Sequence, residues 1–486
     1  PPEYDFSYID ISSIDRETKA VVEPKCLSAT ESPSRARQLL RGGDVLISMT
    51  RPNLNAVALV PDSLDGAVGS TGFYVLRSEH VAPKYLYYLV QTEAFISAMS
   101  TKVQGALYPA IRPKDIQEFA FRLETPERQT RIVAKLEELL SDLDAGVAEL
   151  RAAQAKLAQY RQSLLKAAVE GATTADWRAR HTPSETGAQL LTRILAERRS
   201  RWESRQLARL QSQGKTPPKG WQNKYPEPAA PDTRDLLELP EGWVWGSAEQ
   251  LCEFITKGTT PPKSLDDVIL HVIQFLRVTN LTDRGVLDLS DRVFVSTATH
   301  RSFLARSVVY PNDVLMNIVG PPLGQVVIVP ELYSEWNINQ AIASFRAVDG
   351  LLPSFLCSYL LSPIAQHWLK SRAKTTAGQI NLTLELCRSL PVPLPPVVEQ
   401  QQIVLLLDES ISATANQEAS ISAALSQSAA QRQNLLKAAF SGQLVPQDPS
   451  DEPASALLER IRNQAAAPRS ARTAGGSRRS PSKVRS

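Results

Sequence analysis

The residues of this chain that could do chemistry gather in polar segments. Thr101-Lys102-Val-Gln104-Gly105-Ala-Leu-Tyr108-Pro-Ala-Ile-Arg112 is one, and Lys374-Thr375-Thr376-Ala-Gly378-Gln379-Ile-Asn381 is another. In the major groove, Arg and Lys suit guanine and Asn and Gln suit adenine. Lys102, Gln104, Tyr108, Arg112, Lys374, Thr375, Gln379 and Asn381 are therefore candidate DNA-reading residues, although a solvated loop uses the same types. Lys257-Gly-Thr-Thr-Pro-Pro-Lys263 offers Lys257 and Lys263 on the same terms. Arg51, Asn53 and Asn55 follow a strand that begins at Asp44, as Asn317 follows one that begins at Asp313. These side chains fit phosphate contacts or turn capping.

Catalytic constellations are missing from the sequence. Gly214-Lys215-Thr216 looks like the end of a phosphate-binding loop, but Arg209 stands where that motif needs glycine. There is no Asn/Asp-Pro-Pro-Tyr motif for methyl transfer to an amino group, no Gly-rich dinucleotide loop and no nuclease-like acidic triplet. Four scattered cysteines without a CxxC fit a reducing cytosol, and five scattered histidines give no metal-ligand spacing. No enzyme activity is expected of this chain.

The elements that must position the polar segments come in two copies. Gln162-Ser-Leu-Leu-Lys166-Ala-Ala168 returns as Gln433-Asn-Leu-Leu-Lys437-Ala-Ala439, displaced by 271 positions. Gly43-Asp44-Val45-Leu46 matches Asn312-Asp313-Val314-Leu315 at 269, and Tyr8-Ile9-Asp10-Ile11 matches Phe275-Leu276-Arg277-Val278 at 267. Such a period far exceeds the roughly 20–50 residues of a solenoid unit, so it marks a duplicated domain. Strand-like runs at Tyr8–Ile14, 45–48, Ala56–Val60 and Gly72–Leu76 lead to a helix at Lys84–Met99. Phe275–Leu281, Val314–Ile318, Gln325–Val329 and Ala343–Val348 then lead to a helix at Leu352–Leu369. Alternating strands and helices predict a mixed α/β (α+β) domain in each copy.

A long helix follows each domain. Val133, Leu136, Leu140, Leu143, Val147, Leu150, Gln154, Leu157, Arg161, Leu164 and Ala168 step by threes and fours, the pattern of a coiled-coil seam. The same register gives Val404, Leu407, Ile411, Thr414, Glu418, Ile421, Leu425, Ser428, Arg432, Leu435 and Ala439. Arg161 and Arg432 occupy equivalent seam positions, and Glu418 is an expected acidic partner.

The expected order is domain one at 1–125, a long helix at 126–170, a charged helix and Pro-rich linker at 171–238, and domain two at 239–396. A second long helix at 397–441, a short helical segment at 442–462 and a disordered basic tail at 463–486 complete it. Pro1-Pro2 without a Met, and about 36 residues from Leu239 to Gln274 that only copy two has, suggest a missing natural N-terminus. The net charge of +3 rests on six tail cations from Arg469 to Arg485, which leaves the remainder near −3. Any nucleic-acid surface must therefore be local. With 43% apolar residues the chain can bury globular cores, and no apolar run approaches the ~20 residues of a membrane span.

Leu394-Pro-Pro-Val-Val-Glu-Gln-Gln-Gln-Ile403-Val404, Gln433 to Pro446, Leu239-Pro-Glu-Gly-Trp243 and Thr174-Ala-Asp-Trp177-Arg178 carry a resemblance covering nearly all of 1–461. The chain resembles the specificity subunit of type I restriction–modification systems. Copy one departs with Glu124-Thr-Pro-Glu-Arg-Gln129 before its helix. The resemblance implies two target recognition domains, each reading half of a split site on double-stranded DNA. It also implies two long antiparallel helices as spacer between those domains. Two modification subunits using S-adenosylmethionine and two restriction subunits using ATP and Mg2+ would dock on this chain. The chain itself would bind no cofactor and would work in the cytoplasm of a prokaryote. Two other readings are a coiled-coil adaptor without a DNA role and the recognition part of a fused restriction–methylation enzyme.

Overall fold

A computed structural model describes residues 4–103, 109–262, 271–376 and 379–466. The chain forms two compact units, Pro1–Ala152 with Ile421–Ser486, and Ala153–Ser420. Each unit joins a globular α/β part to segments of both long helices.

In the first unit, strand 45–48 lies between Val57–Leu59 and Phe73–Leu76, antiparallel to both. Successive side chains of a strand point to opposite faces. Val45 and Ile47 accordingly pack on Leu86, Leu89, Phe95 and Met99 of the helices, and Leu46 packs on Ile9, Leu40 and Phe73. The layer on that second face is a sheet ordered Lys25–Leu27, Phe6–Ile9, Val68–Ser70, Ala36–Leu39.

The second unit repeats these layers. Val314–Asn317 lies between Val326–Ile328 and Ile342–Ala347, and Cys252–Lys257 adds an outer strand. Val314 and Met316 enter the helix-side core, while Leu315 meets Leu276, Trp336 and Ile338. The second sheet runs Val293–Ser296, His271–Leu276, Trp336–Ile338, Val308–Val309.

Identical polar devices hold both copies. Asp44 and Asp313 are buried at the start of the central strand, after left-handed Gly43 (φ 85°) and Asn312 (φ 70°). Arg77 grips Asp44 through Nε and Nη2 at 2.6 and 2.5 Å, and Arg346 grips Asp313 at 2.8 and 2.7 Å. Arg41 N–H donates to Asp44 at 2.8 Å, and Tyr310 N–H donates to Asp313 at 2.9 Å. Where each long helix begins, a buried Gln joins it to the domain. Gln129 accepts from Ala82 N–H and donates to the Glu124 carbonyl, while Gln400 accepts from Leu352 N–H and donates to the Pro395 carbonyl.

The long helices span Pro126–Val169 and Val397–Phe440. Within the first unit their segments run antiparallel: Ile132, Leu136 and Leu140 share a core with Leu436 and Ala439, and Asp144 meets Arg432. In the second unit Leu165 and Ala168 share a core with Ile403 and Leu407. Leu136, Leu140 and Leu407 are buried. Leu143, Leu150, Leu157, Leu164, Ile411, Ile421, Leu425 and Leu435 are half-buried, because two helices alone enclose a seam incompletely. Gln154 is exposed, and Ala153 takes its seam position.

Several expectations need correction. The helices expected at Lys84–Met99 and Leu352–Leu369 are each two, Pro83–Leu89 with Glu93–Thr101, and Pro353–Leu361 with Pro363–Ser371. The Thr92 and Ser362 hydroxyls accept from Phe95 and Ala365 N–H and start new helices there. Strands expected to reach Ile14 and Leu281 stop at Ile9 and Leu276, where short 3-10 turns begin. The charged helix, Gly187–Ser212, is part of the second unit: Leu190 and Ile194 are buried in its core, and Arg201 pairs with Asp349 at 2.6 Å. Glu418 pairs with Arg284 at 3.1 Å, while Arg161 donates to the Arg284 carbonyl at 2.5 Å. The expected disordered tail lies outside the described residues beyond 466.

Replacing Asp313 with Ala leaves the Tyr310 N–H without its acceptor and the partly exposed Arg346 without its carboxylate, and should cost the second unit roughly 2 kcal/mol. Thermal denaturation should show one transition moving down, and Asp44→Ala should do the same to the first unit. Asp313→Asn still accepts from Tyr310 and should lose less. An unchanged midpoint in Asp313→Ala would mean the pair adds nothing net.

Candidate nucleic-acid interface

Each polar segment ends against the strand that begins at its unit's buried Asp. In the first unit Thr50 bridges Ala110, Ile111 N–H donates to the Met49 carbonyl at 2.9 Å, and Arg51 N–H donates to Pro109 at 2.7 Å. In the second unit Lys374–Thr376 and Gln379–Asn381 pair as antiparallel strands, and the latter pairs with Val319–Gly320. There Leu382 N–H donates to the Ile318 carbonyl at 2.9 Å, the counterpart of the Ile111 bond. Lys257 belongs to the same sheet end, since it pairs with Ala343 while Asn317 pairs with the adjacent Ile342. The fold thus gathers Lys257, Lys374, Thr375 and Asn381 at one end of the second unit. It sets Arg51, Asn53 and Arg112 around the matching end of the first.

Lys257, Lys374, Thr375, Arg51, Asn53, Lys102 and Arg112 are exposed, and Asn381 is half-buried. Lys102 Nζ lies 3.5 Å from Glu118, and Arg112 Nε lies 3.6 Å from Asp115. Such exposed pairs are weak and leave both cations available to an anion. Gln104, Tyr108 and Lys263 lie outside the described residues, as does the side chain of Gln379.

Asn55 and Asn317 are internal braces. Asn55 Nδ2 donates to the Val90 carbonyl at 2.8 Å, and Asn317 accepts from Val319 N–H at 3.1 Å while donating to Pro322. Both are buried, so neither reaches a phosphate. Arg372 was missed in the sequence. Its guanidinium stacks 4.6 Å from the Trp368 ring, beside a recess lined by Lys374, Asn381 and Glu385. A basic residue four positions after an aromatic on a helix was the available signal.

Cys252, Cys357 and Cys387 are buried, and burial pushes each thiol up to about 12, so they remain protonated and poorly nucleophilic. Among the described residues no group of three or more His, Cys, Asp or Glu could hold a metal, and no helix is long and apolar enough to cross a membrane.

The helix ends carry a second polar centre. Buried Glu399 accepts from Thr174 Oγ1 at 2.8 Å, Arg178 Nη1 at 2.5 Å and Trp243 Nε1 at 2.8 Å, and Arg178 also donates to the Gly171 carbonyl. At the equivalent place in the first unit, buried Arg128 pairs with Glu124 at 3.0 Å and donates to the Gly442 and Val445 carbonyls.

Residues 240–427 match the type I restriction modification DNA specificity domain. The chain is 26% identical over 391 residues to the type I restriction enzyme EcoBI specificity subunit of Escherichia coli, covering 77% of this chain and 70% of that one. It is 23% identical over 405 residues to the EcoDI specificity subunit of the same species, covering 81% and 79%. A chain solved to explain complex assembly and conformational transition of the type I R-M system is 25% identical, with a TM-score of 0.57 over 91% of this chain and 93% of that one. With its duplicated α/β units, long helices and matching polar segments, the chain is thus similar to type I restriction specificity subunits, and residues 240–427 match their DNA specificity domain.

Proposed function

We propose that this chain is the sequence-reading subunit of a type I restriction–modification complex in the cytoplasm of a prokaryote. The observation that carries the reading is the repeated sheet end, where a polar segment closes the same strand in both units. Residues 1–125 and 239–396 serve as two readers of unlike half-sites on double-stranded DNA. Lys374, Thr375, Gln379, Asn381, Lys257 and Lys263 act in one. Lys102, Gln104, Tyr108, Arg112, Arg51 and Asn53 act in the other. Phosphate contacts supply most of the affinity, and base-edge contacts supply the choice of sequence. Two modification subunits bring S-adenosylmethionine and methylate adenine, and two restriction subunits use ATP and Mg2+. This chain adds no catalytic group and holds no cofactor.

Expression with the modification partner in methylation-free cells, followed by long-read mapping of methylated adenine, should reveal a two-part motif. Exchanging residues 239–396 for those of a relative should change one half of the motif and keep the other. A swap that alters both halves, or neither, rules out independent readers.

Lys374→Ala in the assembled complex should weaken DNA binding. If Lys374 meets a phosphate, the slope of log K against log salt should fall by about 0.9 in magnitude, one counterion's worth, with the preferred sequence unchanged. An unaltered affinity and slope would remove Lys374 from the interface.

The helix pair acts as the spacer. Removing one heptad from each helix, Ala152–Ala158 and Ala419–Leu425, keeps the phase of both stripes and shortens each by about 10 Å. That equals roughly three base pairs at about 3.4 Å each. The mapped motif should keep its half-sites and lose about three bases between them. Methylation at the original spacing by the shortened protein would show that the helices do not set the distance.

A further inference from the structure

Both units carry the same small hairpin, and its tip meets a long helix far from the Gln joint. In the first unit Ile14–Asp15 pairs with Ala20–Val21, and the Asp15 carboxylate accepts from Glu17 N–H at 2.8 Å. In the second unit Leu281 bridges Leu287, and the Thr282 hydroxyl accepts from Arg284 N–H at 3.3 Å. Glu17 and Arg284 are equivalent positions, displaced by the 267 of the flanking repeat. Each tip residue reaches a helix residue of opposite charge, yet the polarity is inverted between the units. Glu17 pairs with Arg151 at 2.7 Å, and Arg284 pairs with Glu418 at 3.1 Å.

The tips are seated on their own domains. Lys19 Nζ donates to the Asn55 carbonyl at 2.6 Å, and Tyr87 Oη donates to the Lys19 carbonyl at 3.1 Å. Gly285 bridges Val327, and a Cβ there would sit 3.2 Å from Leu361. A force on either tip is therefore passed to the whole domain. In the second unit both helix segments hold the tip, since Arg161 donates to the Arg284 carbonyl at 2.5 Å.

Each domain is thus mounted on its helices by a packed core near the Gln joint, which Tyr85 shares with Leu136 and Leu140 and Phe355 shares with Ile403 and Leu407, and by a polar tip contact farther along. From Gln400 to Glu418 the helix advances about 27 Å, and from Gln129 to Arg151 about 33 Å. That core lies near the joint, whereas the tip contact lies far along the helix, where it opposes rocking of the domain with the longest lever. We propose that Glu17–Arg151 and Arg284–Glu418 are positioning pairs that lock the tilt of each recognition domain on its helices. They thereby narrow the range of half-site spacings that the protein accepts. This inference rests on the bipartite-reader function proposed above.

Glu17, Arg151 and Arg284 are exposed and Glu418 is half-buried; pairs with an exposed partner contribute little to stability, so their removal should leave the fold intact while loosening the mount. Glu418→Arg places a third cation beside Arg161 and Arg284. In the mapping experiment it should keep both half-sites. The preference for the original spacing over spacings one base longer or shorter should fall by about fivefold, the equivalent of one such pair. Arg284→Glu combined with Glu418→Arg should restore the preference, and Glu17→Arg with Arg151→Glu should rescue Arg151→Glu in the same way. Melting midpoints measured alongside separate loosening from unfolding, and Glu418→Ala serves if Glu418→Arg does not fold. Undiminished spacing preference in the folded single variants, or failure of both charge swaps to restore it, would overturn the proposal. Absence of any two-part motif with the unmodified chain would instead sink the reader function itself.

Discussion

A buried charge near the start of each long helix governs how the two helices can pair. Removing an ion from water costs several kcal/mol unless partners compensate it. Arg128 is held by Glu124 and by the carbonyls of Gly442 and Val445, with only its Nε left without a partner among the described residues. Glu399 is satisfied by Thr174, Trp243 and Arg178, which in turn holds the Gly171 carbonyl. Gly171 and Gly442 are the left-handed residues that follow the ends of the two helices (φ 73° and 81°). The start of each helix is therefore bound to the turn after the other. A parallel pairing would take the Gly442 and Val445 carbonyls from Arg128, and Thr174 and Arg178 from Glu399.

Opposite charges at equivalent places show what a duplicated scaffold must keep and what it can vary. The backbone acceptors are the same, Gly171 and Gly442, because glycine is needed where φ is positive. The side chains that reach them differ, an Arg directly in one unit and a Glu–Arg relay in the other. Trp243 completes the relay and packs against Leu165 and Ala168 in the second core. Elsewhere the copies vary less. Asp44 with Arg77 and Asp313 with Arg346 keep their chemistry, since a bidentate guanidinium–carboxylate pair has few isosteric substitutes.

Features tied to a period or to an apolar run were legible in the sequence. The helices show through their threes and fours, and the central strands at 45 and 314 show as continuous apolar runs, because both of their faces meet a core. Short pieces such as Lys25–Leu27 and Val308–Val309 were not legible, because two or three residues carry no period and pairing alone makes them strands. The breaks at Thr92 and Ser362 come from hydroxyl caps inside otherwise helical runs. Hydrophobic pattern outweighs such caps when a sequence is read alone. The charged helix looked like a linker because Leu190 and Ile194, its buried contacts, are two residues among many arginines.

The polar side chains of the interface were legible by type, and their roles depend on burial that no spacing reveals. Asn55 and Asn53 sit two positions apart with the same chemistry, yet one braces the Val90 carbonyl and the other faces solvent. The same holds for Asn317 against Lys257, which end the two strands flanking Ile342–Ala347 in one sheet. A backbone register repeated in both units fixes where a polar segment lies, leaving its side chains free to differ. Arg372-Ala373-Lys374 in one unit stands where Thr101-Lys102-Val103 leads into the segment of the other. The proposed pair of readers for unlike half-sites needs that separation, because a scaffold that changed with its reading residues would lose the common geometry that two identical partners would require.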